Sequence, residues 1–153
     1  MVTGGAGYIG AHLCDLLVAR GESVVIVDDL ATGSAARVPG IPIFSLDVSE
    51  ASAPAALAEV FTGHDVEAVI HFAARKQVAE SVERPNWYRR QNVTGLTNLL
   101  AAMRAGDARV AVVYGGQGAQ WLPALRELHG AHLAVRALVR DATARLRQSA
   151  SDP

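Results

Sequence analysis

Short, β-rich hydrophobic runs alternate with helical patterns along the first hundred residues of the chain. The runs are bounded by turn or helix signals and have the size and character of buried parallel strands. They fall at residues 24–27, 43–46, 66–72 and 109–114. A further strand at residues 1–3 is needed at the centre of the sheet. Central strands usually have about five residues, so the beginning of this one is expected to be missing.

Two helices are predicted before the middle of the chain from the spacing of apolar residues. The first ends before Gly21, a typical C-terminal glycine, and its apolar positions are Ile9, Leu13, Leu16 and Leu17. The second spans residues 52–61, with Pro54 in its first turn and an apolar face of Leu57, Val60 and Phe61.

A third, longer helix is predicted after Pro85, with Asn86 as its N-cap. Its apolar stripe consists of Val93, Leu96, Leu100 and Met103. Strand and helix therefore alternate, and right-handed crossovers turn such an order into a sheet with helices on both faces. The predicted fold class is α/β: a truncated, doubly wound parallel sheet of the Rossmann-like type, followed by a helical C-terminal segment.

Composition indicates one ordinary globular domain. The chain has 153 residues, half of them hydrophobic and 19% charged, with a formal net charge of -1. This balance argues against nucleic acid as a partner. Because no apolar run approaches the length of a membrane span and Met1 leads straight into a glycine loop, we expect no membrane association and a cytoplasmic protein. Cys14 is the only cysteine, so no cysteine-built metal site is expected, and it should pack as a small hydrophobe.

A glycine-rich loop directly follows the first strand. Gly5, Gly7 and Gly10 satisfy the spacing G-x-G-x-x-G, and Gly4, Gly7 and Gly10 satisfy the related G-x-x-G-x-x-G. Such glycines allow a tight turn, let a pyrophosphate approach main-chain N–H groups, and permit close packing of the next helix. The helix N-terminus then favours the anionic phosphates. The alternative is a glycine turn with a purely structural role.

Two acidic residues stand at the end of the second strand, about 20 residues beyond the loop. Asp28 and Asp29 are placed to accept hydrogen bonds from an adenosine ribose. A carboxylate there repels a 2'-phosphate, and Arg37 is the nearest arginine in sequence, so NAD is favoured over NADP. Solvated turn acids are the alternative.

The order of these motifs resembles one family. The shared motifs are the glycine loop, 27–29, 46–48, 71–76, 80–81 and 92–95. Over residues 1–103 they resemble the UDP-glucose 4-epimerases, which are NAD-dependent epimerases/dehydratases of the extended short-chain dehydrogenase/reductase class. The resemblance implies NAD as cofactor, a UDP-sugar such as UDP-glucose or UDP-galactose as substrate, a place in nucleotide-sugar and galactose metabolism, and a homodimer as one expected assembly.

The resemblance also implies a role for individual residues. Contacts with the pyrophosphate would come from Gly4, Gly7, Tyr8, Ile9 and Gly10. Asp28 and Asp29 would bind the adenosine ribose, and Asp47 and Val48 the adenine. Phe72, Ala73, Ala74 and Lys76 would line the dinucleotide further along. Gln91 stands where the family usually has Asn, and His71 is expected to be a packed or hydrogen-bonded core residue.

The chemistry of that family needs residues that this chain lacks. Family members use a tyrosine of a Tyr-x-x-x-Lys motif as the base and a separate substrate domain. None of Tyr8, Tyr88 and Tyr114 has a lysine four residues later. We therefore expect no catalytic residue, no sugar-binding half and no epimerase turnover by the 153-residue chain. A noncatalytic remnant or interaction module is the alternative function.

Residues 106–150 resemble a different protein class. Gly-Gln-Gly-Ala-Gln at residues 116–120 resembles the start of the acyltransferase domain of type I fatty acid and polyketide synthases. That family's nucleophile elbow, Gly-x-Ser-x-Gly, does not occur in the chain. The alternatives are an acyltransferase fragment and a plain polar turn between a strand and a helix. The predicted division is a Rossmann segment at 1–105 and an acyltransferase-like strand with helices at 106–153, packed on the same unit.

Overall fold

The computed structural model describes residues 1–105 and the backbone of residues 110–113, and its centre is a five-stranded sheet. The strands are β1 (Val2–Thr3), β2 (Ile26–Asp28), β3 (Ile43–Ser45), β4 (Ala68–His71) and β5 (Val110–Val113). All pairs are parallel, and the order across the sheet is β3-β2-β1-β4-β5. The predicted α/β fold class and all five strands are confirmed. The observed strands are shorter than predicted, and β2 is shifted so that it ends on Asp28.

Five α-helices connect these strands in the described part of the chain. They are α1 (Tyr8–Ala19), α2 (Ala53–Gly63), α3 (Val78–Glu83), α4 (Pro85–Arg89) and α5 (Gly95–Ala105). A 3₁₀ turn spans Ala35–Arg37, and a π-helical turn, Arg90–Thr94, joins α4 to α5. The predicted second helix is confirmed, whereas α3 was not predicted. In residues 1–105 and 110–113, no helix is long and apolar enough to cross a membrane.

The strands β1 and β2 are buried on both faces, so the sheet separates two hydrophobic layers. Successive residues point to opposite faces, and Met1, Val25 and Val27 pack with α2 and α5. On the other face, Val2 and Ile26 pack with Ala11 and Cys14 of α1. This arrangement confirms the doubly wound architecture.

The central strand β1 marks the point where the chain changes direction across the sheet. Thr3 is paired with Val27 of β2 on one side and with His71 of β4 on the other. The connection through α1 leads to β2, and the connection through α2 returns to β4 on the opposite side of β1. Ligands of such sheets bind in the crevice beyond the carboxyl ends of the strands at this switch point.

The fully buried residues of α1 are small, which corrects the predicted apolar face at Ile9 and Leu16, whereas Leu13 is half-buried and Leu17 packs partly buried against the core as predicted. Gly10, Ala11 and Cys14 are buried, while Ile9 is 58% and Leu16 38% exposed. Small residues are needed on this face because α1 lies very close to the glycine loop: a Cβ on Gly10 would lie 2.2 Å from the carbonyl oxygen of Gly4. Gly21 does end the helix as predicted, with φ of +82° and hydrogen bonds from residues 21 and 22 back to Val18 and Leu17.

Cys14 packs as a small hydrophobe, as expected, and is fully buried. Burial raises the pKa of its thiol to about 11. The side chain is therefore a protonated, apolar part of the α1 face.

The predicted long helix differs from the structure at its start and on its buried face. Pro85, not Asn86, is the first helical residue, because its fixed φ suits that position and Arg84 takes the cap. Of the predicted stripe, Val93 and Leu100 are 54% and 48% exposed and only Met103 is buried. The buried positions are Gln91, Gly95, Leu99, Ala102 and Met103. The π-helical turn shifts the helix phase, and the lack of a side chain at Gly95 lets Val48 pack against α5.

Several predictions for the end of the chain lie outside the described residues. They are the ends of the fifth strand at Arg109 and Tyr114, the polar turn at 115–120, the helices carrying Leu125, Leu128, Leu133, Leu138 and Leu146, and the division into 1–105 and 106–153.

The contact between Gly10 and Gly4 predicts a large effect of a single methyl group. Replacing Gly10 by Ala places a Cβ 2.2 Å from a backbone oxygen that cannot move aside, so we expect the free energy of unfolding to fall by about 3 kcal/mol. The matched control is Gly63→Ala in α2, where the new Cβ meets no atom within 4 Å. Urea unfolding should show an unchanged or slightly higher midpoint for the control. Equal midpoints for the two variants would contradict the packing described here.

Candidate functional site

The glycine loop lies against the chain segment that leaves β4. Gly4 has φ of +68°, and a Cβ on it would lie 2.7 Å from the amide nitrogen of Ala73. Only glycine fits here, because the left-handed conformation and the neighbouring backbone both exclude a side chain. The loop thus brings the ends of β1 and β4 together at the switch point.

The N-terminus of α1 faces this loop with its main-chain amides. Gly7 is the N-cap, and no side-chain hydrogen bond caps the helix in the described structure. A Cβ on Gly7 would contact only the carbonyl oxygen of Gly4, at 3.1 Å. The first amides of a helix carry a partial positive charge, so this end is suited to an anionic group such as a pyrophosphate. The turn is not filled by a side chain of its own.

Asp28 binds the glycine loop directly. Its carboxylate accepts hydrogen bonds from the amide of Ala6 at 2.9 Å and from the amide of Leu30 at 2.9 Å, and the residue is only 6% exposed. The predicted acid at the end of β2 therefore points to the loop, not to solvent. Each carboxylate oxygen has a second lone pair that can accept a ribose hydroxyl.

Arg37 also reaches the loop, which its position in sequence did not indicate. Its Nη1 donates to the carbonyl oxygen of Ala6 at 3.1 Å, and the amide of Ser34 donates to the same oxygen at 2.9 Å. The segment after β2 is thereby folded over the outer side of the glycine loop.

Asp29 is joined to the opposite side of the crevice by Arg75. Its Oδ2 accepts a hydrogen bond from Nη2 of Arg75 in an ion pair, while its Oδ1 accepts from the amide of Ala31 at 3.0 Å. Arg75 follows β4, and Asp29 follows β2, so the pair crosses over the end of β1. Arg75 was not predicted as a site residue, although it lies within the same strand-end run as Ala74 and Lys76.

Gln91 connects Arg75 to the end of β3. Its Oε1 accepts from Nε of Arg75 at 3.3 Å, and its Nε2 donates to Asp47 at 2.8 Å and to the hydroxyl of Ser49 at 2.7 Å. Gln91 lies in the π-helical turn and is buried. Its longer side chain, compared with Asn, is used for these contacts between the π-helical turn and the segments that follow β3 and β4.

Asp47 is held in its ionised form by this arrangement. Burial raises the pKa of its carboxyl group, but hydrogen bonds from the Ser49 amide, the Gln91 side chain and the Ser49 hydroxyl, together with nearby Arg90, hold the pKa below its usual value. A carboxylate therefore lies at the end of β3, where the resemblance places the adenine.

The remaining predicted site residues differ in how far they are exposed. Phe72 and Ala73 are half-buried, with the amide of Phe72 donating to the carbonyl oxygen of Thr3 at 2.9 Å. The side chain of Val48 is buried in the core, so contact with a ligand would come from its main chain. The exposed members of the predicted set are Tyr8, Ile9, Ala74 and Lys76.

His71 is a hydrogen-bonded core residue, as expected. A hydrogen bond of 2.6 Å joins its Nδ1 to the hydroxyl of Thr3, and the residue is 4% exposed. Burial lowers the pKa of its imidazole to about 4, so it is neutral at physiological pH. It links β1 to β4 below the crevice.

The two tyrosines of the described region lie in different surroundings. Tyr88 accepts a hydrogen bond from the amide of Gln77 at 2.9 Å and donates one to Glu80 at 3.0 Å, so it ties α4 to α3. Tyr8 is 82% exposed at the start of α1. Within the part of the chain that the structure describes, no group of three or more His, Cys, Asp or Glu residues could hold a metal ion.

Comparison with known proteins gives one consistent match. Residues 1–127 match the family model described as the NAD dependent epimerase/dehydratase family. A UDP-glucose 4-epimerase of Klebsiella pneumoniae is 42% identical over 130 residues, covering 76% of this chain and 92% of that protein. A UDP-glucose 4-epimerase of Halalkalibacterium halodurans is 38% identical over 109 residues, covering 71% of this chain and 32% of that protein.

Solved structures agree with these sequence matches. UDP-glucose 4-epimerase of Thermus thermophilus in complex with NAD superimposes with a TM-score of 0.67 at 38% identity, covering 72% of this chain and 35% of that chain. The enzyme of Thermotoga maritima with UDP-glucose gives a TM-score of 0.71 at 29% identity, covering 77% of this chain and 38% of that chain. Apart from the Klebsiella protein, the chain spans about a third of the length of these relatives.

The buried imidazole predicts a specific loss of stability in mild acid. Well above pH 6.5 His71 is neutral in both the folded and the unfolded chain and adds no pH dependence. As the pH falls from 6.5 towards 4, the unfolded chain takes up a proton that the folded chain excludes, so the free energy of unfolding falls, by up to about 3 kcal/mol. Urea unfolding at pH 7, 6 and 5 should show this slope in the wild type and a shallower one in His71→Asn.

The control for this measurement is His12→Gln, which changes an exposed histidine of α1. It should keep the wild-type slope. An equal slope for His71→Asn would show that other groups cause the acid sensitivity.

Proposed function

The chain belongs to the NAD dependent epimerase/dehydratase family, and from that premise we propose that it binds NAD as the NAD-binding region of a UDP-glucose 4-epimerase-like protein. The observation that carries the proposal is the hydrogen bond between the Asp28 carboxylate and the amide of Ala6. It joins the phosphate-binding loop and the ribose-binding acid, the two parts of a dinucleotide fingerprint, in one site.

The geometry supports a definite placement of the cofactor across the crevice. The pyrophosphate would lie on the uncapped amides of α1, with glycines at positions 4, 7 and 10 leaving room for it and Tyr8 and Ile9 beside it. Asp28 and Asp29 would accept the hydroxyls of the adenosine ribose. The adenine would lie by Asp47 and Val48, near Gln91. Phe72, Ala73, Ala74 and Lys76 would line the path towards the nicotinamide.

The charge of this site supports NAD over NADP. A 2'-phosphate would approach the buried Asp28 carboxylate, whose charge is held in place by two main-chain hydrogen bonds. Like charges in a site with little water repel strongly. The ribose hydroxyls of NAD instead find acceptors there.

NAD supplies the hydride-transfer chemistry when bound, and this chain's residues bind and orient it. We assign no catalytic residue, since no tyrosine of the sequence has a lysine four residues later. The 153-residue chain is therefore not expected to catalyse 4-epimerisation itself; a place in UDP-sugar and galactose metabolism, a homodimeric assembly and a cytoplasmic location remain part of the proposal. They are supported by the resemblance to UDP-glucose 4-epimerases.

Calorimetric titration of the full chain with NAD tests the proposal. We expect saturable binding by the wild type. We also expect an affinity at least about tenfold lower for Gly7→Ala, because the added methyl group narrows the space in which the pyrophosphate approaches the amides. Loss of the glycine N-cap should cost only about 1 kcal/mol of stability, so this variant should stay folded.

Gly63→Ala, remote from the crevice in α2, is the control and should bind NAD like the wild type. A folded wild-type sample that gives no binding heat would overturn the proposed function. Full affinity in Gly7→Ala would instead show that the pyrophosphate is not placed on α1.

A further inference from the structure

We propose that the ion pair between Asp29 and Arg75 is a determinant of cofactor specificity. Asp29 occupies a guanidinium group that would otherwise bind the 2'-phosphate of NADP. The proposal rests on the proposed NAD site and names the residues that set its preference. From the sequence, NADP was expected to be disfavoured only by repulsion from the carboxylate at the end of β2. In the structure, Arg75, which follows β4, forms an ion pair with Asp29, the residue next to Asp28.

The guanidinium of Arg75 is held in place from several sides. Its Nε donates to Gln91 at 3.3 Å, and its charged plane lies 5.3 Å from the centre of the Trp87 ring. Its main chain is fixed by Asn92, which accepts from the amide of Arg75 at 2.8 Å and donates to its carbonyl oxygen at 2.9 Å. The side chain is only 15% exposed. A cation fixed in this way does not have to be ordered when a ligand binds.

The guanidinium of Arg75 has more N–H donors than its hydrogen bonds to Gln91 and Asp29 use. An arginine side chain carries five N–H groups. One of them is used by Gln91 and one by Asp29, and no other acceptor for this group is present among the residues that the structure describes. A fork of N–H groups on a fixed cation matches the oxygens of a phosphate.

The ion pair lies near the place where the 2'-hydroxyl of the adenosine ribose would bind. Asp29 follows Asp28, the acid at the end of β2, and acids at this point of the fold contact the ribose hydroxyls. A phosphate on the 2'-oxygen would therefore enter beside Asp29 and within reach of Arg75. In the native chain the charges of Asp29 and Arg75 neutralise each other, and the Nη2 group of Arg75 is already hydrogen-bonded to the Asp29 carboxylate. NADP then gains little from Arg75 and still meets the charge of Asp28.

Arg37 is the other arginine near this corner, and its contact is different. It donates to the main-chain oxygen of Ala6 at 3.1 Å and is exposed. Asp29 therefore has Arg75, not Arg37, as its ion-pair partner. The two arginines can be tested separately.

The test compares the dissociation constants of NADP and NAD by calorimetry for the full chain. Asp29→Asn removes the charge but keeps an oxygen for the amide of Ala31. It frees Arg75, so the ratio of the NADP to the NAD dissociation constant should fall about tenfold. Arg75→Met leaves Asp29 unpaired, so the same ratio should rise several-fold. The two substitutions thus move the ratio in opposite directions.

Arg84→Met is the matched control for Arg75→Met. Arg84 lies over the same Trp87 ring, at 4.2 Å, but pairs with Glu80 at 3.4 Å. It should leave the ratio unchanged. A shift of the ratio in Arg37→Met, with none in Arg75→Met, would place the phosphate contact at Arg37 and overturn the proposal.

Thermal unfolding without nucleotide checks that each variant is folded. If Asp29→Asn unfolds, the proposal is tested with Arg75→Met alone, because this substitution leaves the hydrogen bond from the amide of Ala31 to Asp29 intact. A wild type that binds neither NAD nor NADP would overturn the proposed function and this inference together. A wild type that binds NAD while Asp29→Asn and Arg75→Met keep its NADP to NAD ratio would overturn only the role of the ion pair.

Discussion

The crevice depends on the close approach of three backbone segments around the glycine loop. Gly4 lies against the main chain of Ala73, and Gly10 lies against the carbonyl group of Gly4. Because no side chain separates these segments, α1 begins directly beside the ends of β1 and β4. Its free amides then face the same space as the carboxylate of Asp28. The loop is thus a packing element first, and the proposed diphosphate site depends on that packing.

The alternation of strands and helices was predictable from sequence, since β-branched runs and helical spacing are local signals. The glycine loop and Asp28 were predictable for the same reason, as their spacing reflects one strand–helix–strand unit. The buried faces of α1 and α5 were not. Both are built around small residues, Gly10 and Gly95, and a search for large apolar residues selects neighbouring positions that the structure exposes. The start of α4 was also not predictable, because Asn86 is a favourable N-cap residue and Pro85 a favourable first helical residue, and the local sequence does not show which of these two starts is adopted.

Arg75 could not be identified from its neighbours in sequence, because its partners come from elsewhere in the chain. Asp29 lies 46 residues away and Gln91 lies 16 residues away. These contacts form only when β2, β4 and the π-helical turn have been brought together by the fold. The result is a chain of polar contacts from Asp29 through Arg75 and Gln91 to Asp47, along the ends of three strands. The helix α5 is connected to the same region by Asn98, which donates to the carbonyl oxygen of Val48 at 2.9 Å.

The burial of Cys14 has a consequence for the chemical durability of the loop. The thiolate is the form that peroxides and electrophiles attack, and a thiol with a pKa of about 11 is almost entirely protonated near neutral pH. The helix that follows the glycine loop therefore carries a sulfur atom that is shielded from oxidation and alkylation.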